Sequence, residues 1–240
     1  MNEPTDRTDE IVDEVPEEYQ RMVADCEGAS EADPIDDDAE YDARPMPRVA
    51  PSALLEKLAL LWKYPEGGAD SVAAELSRME GDPALAEYRD EIAALEHALS
   101  AYDESDEVVV GADMVQLDYT RLFIGSFKMY APPYASFYTD GADQIFGPTA
   151  VAVEDLYAQF GLQIKDDEHD MPDHIRYLLT FMSLLAKTFE QTGSKDMACA
   201  YEDFKQEFLD PWSAQFSEKI HTYTEYDFFK SLIDFTLAAV

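Results

Sequence analysis

The chain has 240 residues, 46% of them hydrophobic, with 52 acidic against 17 basic side chains and a net charge of -35. That much negative charge repels phosphate backbones and anionic membrane surfaces, which argues against nucleic acid and lipid as partners and favours cationic segments such as Arg-bearing peptides. Residues 1–48 carry 17 acids and 4 bases, so the excess is densest there but continues through the rest of the chain. Self-repulsion of this size is screened by concentrated salt, where the Debye length falls to about 3 Å at 1 M, and the surface reads as adaptation to a saline host.

Residues 1–48 are expected to form a disordered acidic tail, and 49–240 a single all-α domain. The run Asp33-Pro34-Ile35-Asp36-Asp37-Asp38 has little to bury. A short helical stripe of Ile11, Val15, Tyr19 and Met22 is interrupted by Pro16. From Pro51 the text changes. Leu54, Leu55, Leu58, Leu61 and Trp62 recur at helical spacing until Tyr64-Pro65. A second helix is expected over about 69–79. A third should follow Asp82-Pro83, carrying Leu85, Tyr88, Ile92, Leu95 and Leu99. A fourth, around 112–124, presents Val115, Tyr119, Leu122 and Phe123. Residues 125–147 then lose the helical period but hold many rings, among them Phe127, Tyr130, Tyr134, Phe137, Tyr138 and Phe146. A long loop with that much apolar surface must pack on something or bind something.

Helices resume at Pro148, with Val153, Leu156, Tyr157 and Phe160 as one stripe and Gly161 at the C-terminal cap. The strongest helix follows His174: Ile175, Leu178, Leu179, Met182, Leu185 and Phe189 line one face, and Gly193 lies just past its end. Further helices are expected near 194–209, 211–223 and 226–239. No alternating strand stands out, and Val108-Val109-Val110 is too short for a sheet. Cys26 and Cys199 have neither metal-ligand nor redox spacing. There is no cationic, apolar start of a secretory signal and no run long enough for a membrane span, so the cytoplasm is the expected compartment. Phosphate-loop, dinucleotide and nucleophile-elbow signatures are missing, so neither an enzyme nor a bound cofactor is expected.

Three ordered segments resemble the TorD/DmsD family of redox-enzyme maturation chaperones. They are Tyr119-Thr120-Arg121-Leu122-Phe123-Ile124-Gly125, then Pro132-Pro133-Tyr134-Ala135-Ser136-Phe137-Tyr138, then Asp170-Met171-Pro172-Asp173-His174-Ile175. A later element, Phe208-Leu209-Asp210-Pro211-Trp212, is similar to the family's His-Leu-x-Pro-Trp. Ala135 stands where the family has Glu, and Asp170 where Glu is usual, with Glu168 two residues upstream.

The resemblance implies a compact helical bundle that binds the twin-arginine signal peptide of a molybdopterin-containing oxidoreductase, of the dimethyl sulfoxide or trimethylamine oxide reductase type. It would hold that peptide until the cofactor is inserted, as a monomer or homodimer. Two guanidinium groups followed by an apolar run call for an aromatic-lined groove beside carboxylates. The expected peptide-binding set is Tyr119, Leu122, Phe123, Pro132, Pro133, Tyr134, Ser136, Tyr138, Glu168, Asp170, Pro172, Asp173 and His174. Each has a plainer reading. Tyr119, Leu122 and Phe123 sit at core spacing, Tyr134 and Tyr138 would simply plug the loop onto the helices, and Asp170 or Asp173 would cap a helix. His174 would be a buried, hydrogen-bonded histidine. A metal-dependent helical enzyme built on His169, Asp173 and His174, and a general helical adaptor, are the alternatives.

Overall fold

The structure is a computed structural model, and it describes residues 44–102, 113–125, 128–141, 145–164 and 170–240. The chain separates into two units, Met1–Arg44 and Pro45–Val240. Residues 1–43 of the expected acidic tail with its stripe, Cys26, Val108–Val110, Phe127, Glu168 and His169 lie outside the described residues.

In the second unit α1 spans Ser52–Leu61. Its first turn is held from a distance, because the Glu190 carboxylate accepts from both Ser52 N (2.8 Å) and Ser52 Oγ (2.6 Å). α2 spans Gly68–Glu80. The expected third helix opens as a 3-10 turn over Pro83–Tyr88 before α3, Arg89–Ser100. Asp82 caps this turn, its carboxylate accepting from Ala84 N at 2.9 Å. α4 covers Met114–Tyr119, capped by Asp113, and widens into a π-turn over Thr120–Ile124. Short α5, Ala135–Thr139, lies inside the segment expected to have no helical pattern. α6 is Pro148–Gln159 and α7 is Ile175–Thr192, closed by Gly193 in the left-handed region at φ 68°. α8 (Lys195–Phe208), α9 (Asp210–Tyr223) and α10 (Phe228–Ala239) complete the chain close to the expected limits.

Among the described residues the β-type pairing is one isolated antiparallel bridge, Tyr134 with His174. No helix there is long and apolar enough to cross a membrane.

α7 is the central rod. It packs against α1 on one side and α8 on another. Leu178, Leu179, Met182 and Leu185 are buried along the expected stripe. Phe181, which is off that stripe, is buried too, against Tyr157 (5.1 Å), Phe160 (5.1 Å) and Phe204 (4.7 Å). A second cluster gathers on Phe123, whose ring lies 4.8 Å from Tyr119, 5.1 Å from Phe229 and 5.8 Å from Trp62. Edge-to-face pairs of this kind add about 0.5–1.5 kcal/mol each beyond burial. The Trp62 indole N–H donates to Thr236 Oγ1 at 3.1 Å, and Tyr119 OH to Trp62 O at 3.1 Å, so the buried polar ends are satisfied.

Candidate functional site

The site grows out of two turns that the core holds side by side. The first begins at the π-turn. Gly125 N closes on Thr120 O, and Ala131 N donates to Leu122 O at 2.8 Å, which returns the chain across the end of α4. Gly125 sits at φ 63°, and a Cβ there would stand 2.3 Å from Lys128 O, so only glycine fits this crossing. The returning chain delivers Pro132, Pro133 and Tyr134. Ile175 N donates to Pro133 O at 2.9 Å and Ala135 N to Asp173 O at 3.1 Å. These two bonds join the proline-rich turn to the start of α7.

Asp173 is fully buried. Its Oδ2 accepts from Ser136 N at 2.7 Å, in the first turn of α5. Burial raises the Asp173 pKa and the neighbouring Asp140 adds to this, while the bonds from Ser136 oppose it. His174 is buried as well. It caps α7, with Nδ1 accepting from Arg176 N at 3.1 Å. That acceptor role places the ring proton on Nε2. Burial is the main cause of a pKa lowered to about 4, helped by Arg176 and opposed by Asp170, so the ring is neutral at ordinary pH.

The expected site residues therefore divide by depth. Tyr119, Leu122, Phe123, Pro132, Pro133, Ser136, Pro172, Asp173 and His174 are buried and form the support. Tyr134, Tyr138 and Asp170 are half-buried and reach the surface. Tyr134 stands edge-on to His174 at 5.1 Å, and its hydroxyl makes a long 3.5 Å contact with Asp170 Oδ1. Tyr138 stacks on Trp212 at 5.4 Å, so the Phe208–Trp212 element holds the loop from below. Trp212 is itself fixed by donation from Nε1 to Phe208 O at 2.7 Å. Tyr157 OH donates to Pro172 O at 3.3 Å and ties α6 to the same corner.

Two residues outside the expected set complete the corner. Arg176 Nε lies 2.8 Å from Asp170 Oδ2, its guanidinium sits 4.3 Å from the Tyr177 ring centre, and Nη2 donates to Tyr177 OH. The Nε–Oδ2 pair is close but falls outside hydrogen-bond alignment, so charge holds it. The signal for Arg176 was in the sequence: a cation in the first turn of a helix opposes the macrodipole and needs a partner.

Arg176 and Tyr177 also line a hollow of about 380 Å³ between α1 and α7, with Ala59, Leu60, Thr180 and Leu184 along its walls and Glu56 and Lys63 on the α1 side. Leu60 is 52% exposed and Leu184 38% exposed, so the groove offers apolar surface to a partner. A smaller hollow of about 260 Å³, near Leu61, Tyr64 and Glu75, holds none of the corner's residues. Among the described residues no group of three or more His, Cys, Asp or Glu side chains is placed to hold a metal ion.

The family model described as nitrate reductase delta subunit matches residues 82–218, more than half of the chain, and the chain belongs to that family.

Among curated relatives, the chaperone protein TorD of Vibrio parahaemolyticus is 30% identical over 125 residues, which is 50% of this chain and 58% of the relative. TorD of a Psychrobacter species is 28% identical, covering 60% of this chain and 66% of the relative. The Tat proofreading chaperone DmsD of Salmonella typhimurium is 25% identical, covering 47% and 52%. The chain thus spans about half to two-thirds of the length of these relatives, which are named for chaperone work rather than catalysis. A solved structure from Archaeoglobus fulgidus, described as a redox enzyme maturation protein, overlays with 78% of this chain and 93% of its own. Its TM-score is 0.49 at 22% identity, and the assignment does not rest on it.

Proposed function

We propose that this chain is a cytoplasmic maturation chaperone that holds the twin-arginine leader of a molybdenum oxidoreductase precursor until its cofactor is in place. The observation that carries the reading is the corner itself: Asp170, with Tyr134 at its side, is joined through its partner Arg176 to the apolar groove between α1 and α7 that Arg176 and Tyr177 line. A leader presents two guanidinium groups and then an apolar run. Guanidinium binds carboxylate and stacks on aromatic faces, and the apolar run gains from burial against Leu60 and Leu184. The family and the names of the relatives support the same reading. Tyr134, Tyr138 and Asp170 would touch the peptide. Tyr119, Leu122, Phe123, Pro132, Pro133, Ser136, Pro172, Asp173 and His174 would hold them in position, and Glu168 belongs to the expected set as a second acid.

Calorimetric titration with a twin-arginine leader peptide in concentrated salt tests the proposal. The peptide should bind, replacement of both its arginines by alanine should abolish binding, and Asp170→Asn should weaken it about tenfold, or about 1.4 kcal/mol. Equal binding of the alanine peptide would reduce the chain to a general apolar adaptor.

A further inference from the structure

Arg176 is a costly residue in its position. It lies in the first turn of α7, where the helix dipole disfavours a cation. Its side chain is only 8% exposed. The chain has few bases, 17 against 52 acids, yet one is folded inward beside Asp170 at the end of the groove. The geometry around it is the set by which proteins recognise arginine: Asp170 Oδ2 at 2.8 Å, the face of Tyr177 at 4.3 Å, and the Tyr177 hydroxyl accepting from Nη2. Asp170 in turn is steadied by the Tyr134 hydroxyl.

We infer that Arg176 is an internal stand-in for a client guanidinium, occupying the Asp170–Tyr177 seat in the free protein and leaving it when a client arginine binds. The inference rests on the peptide-holding reading and adds to it a gate with a selectivity rule. The groove that Arg176 lines offers its displaced guanidinium a second carboxylate, Glu56, on the opposite wall. The exchange replaces one planar guanidinium by another against the Asp170 carboxylate and the Tyr177 ring. A client lysine, with a compact ammonium, recovers the charge but not the planar stacking on the ring. The seat therefore discriminates arginine from lysine, and it lowers the affinity for any weak cationic peptide by keeping the carboxylate occupied.

The test uses the full chain in about 1 M salt, where the Debye length of about 3 Å leaves only contact pairs active. The probes are acetyl-Arg-Arg-amide and its Lys-Lys counterpart, followed by NMR titration. Arg176→Gln should bind the Arg-Arg probe at least about fivefold tighter than the unaltered chain, equivalent to about 1 kcal/mol. The further change Asp170→Asn should remove that gain. The preference for Arg-Arg over Lys-Lys should be the same in the unaltered chain and in Arg176→Gln, because an internal competitor lowers both affinities by one factor, and it should shrink in Asp170→Asn. Should Arg176→Gln fail to fold by circular dichroism, Arg176→Lys, which keeps the charge, should show a smaller gain of the same sign.

Unchanged or weaker binding of Arg-Arg in the folded variant, or a gain that survives Asp170→Asn, overturns the stand-in. Tighter dipeptide binding by Arg176→Gln combined with no binding of a full leader sinks the leader reading and leaves the stand-in supported.

Discussion

At the scale of single residues, His174 and Asp173 show how the corner trades charge for order. Both lie beneath the surface, and each accepts one backbone N–H that the start of a helix would otherwise leave unsatisfied. Removing the Asp173 acceptor leaves the buried Ser136 N–H unsatisfied, which costs about 1–3 kcal/mol, so Asp173 is a stability residue at the least.

His174 has a pH signature. Unfolded, the imidazole takes up its proton near the ordinary value of 6.5, whereas in the fold it holds off until about 4. Between those values the unfolded chain binds more protons, so stability contributed by the neutral ring is present above 6.5 and is lost as pH falls toward 4. The loss amounts to about 3 kcal/mol when complete. His174→Asn keeps a capping acceptor and removes the titration. The gap in melting temperature between the unaltered chain and this variant should therefore shift in the variant's favour from pH 7 to pH 4. The comparison cancels the general relief of acidic repulsion that both proteins share on acidification. A pH-independent gap would mean that the buried ring does not titrate in this window.

At the scale of elements, the site depends on short, irregular pieces rather than on the long helices. The π-turn at Thr120–Ile124, the crossing at Gly125 and five-residue α5 were not separable from their surroundings by periodicity, because the first two close on nearby carbonyls outside the helical spacing and α5 on Asp173, a distant partner. Gly125 is the sharpest case. Gly125→Ala places a methyl group 2.3 Å from the Lys128 carbonyl oxygen at a backbone angle that L-residues avoid. Strain of about 1–3 kcal/mol from the backbone adds to the cost of the clash, so the variant should lose at least about 3 kcal/mol in chemical unfolding. Gly141→Ala is the matched control: its φ of 76° is also positive, but nothing lies within 4 Å of the added methyl, so strain alone applies. Similar losses in both variants would show that the Gly125 crossing is not a close approach.

The long helices were legible for the opposite reason. Their apolar residues repeat every three or four positions, and Gly161, Gly193 and Pro148 mark their limits by backbone preference alone.

At the scale of the molecule, a chain with a net charge of -35 builds a well-packed helical core. The reading of that charge as adaptation to a saline solvent predicts that salt stabilises the fold. Raising potassium chloride from about 0.1 to 1 M shortens the Debye length from about 10 to 3 Å and removes most of the surface repulsion. If this relieves about 3 kcal/mol, the melting temperature should rise by roughly 6–12 °C, read by circular dichroism. A flat or falling curve would remove the halophile reading without touching the corner.

By itself the sequence determined the helical class, most helix limits and three segments whose order points to one family, because helix periodicity, caps and turn chemistry are local properties of the chain. It also put the proline-rich turn and the acids before α7 on one list. Only the tertiary structure decided that these two turns join through the Tyr134–His174 bridge, that Asp173 is spent on Ser136, and that Arg176 folds back onto Asp170 and Tyr177 beside a groove walled by α1. Which carboxylate is consumed inside and which stays at the surface depends on burial, and burial is set by contacts between residues more than a hundred positions apart, such as Ser52 with Glu190 and Trp62 with Thr236. No local pattern encodes those distances.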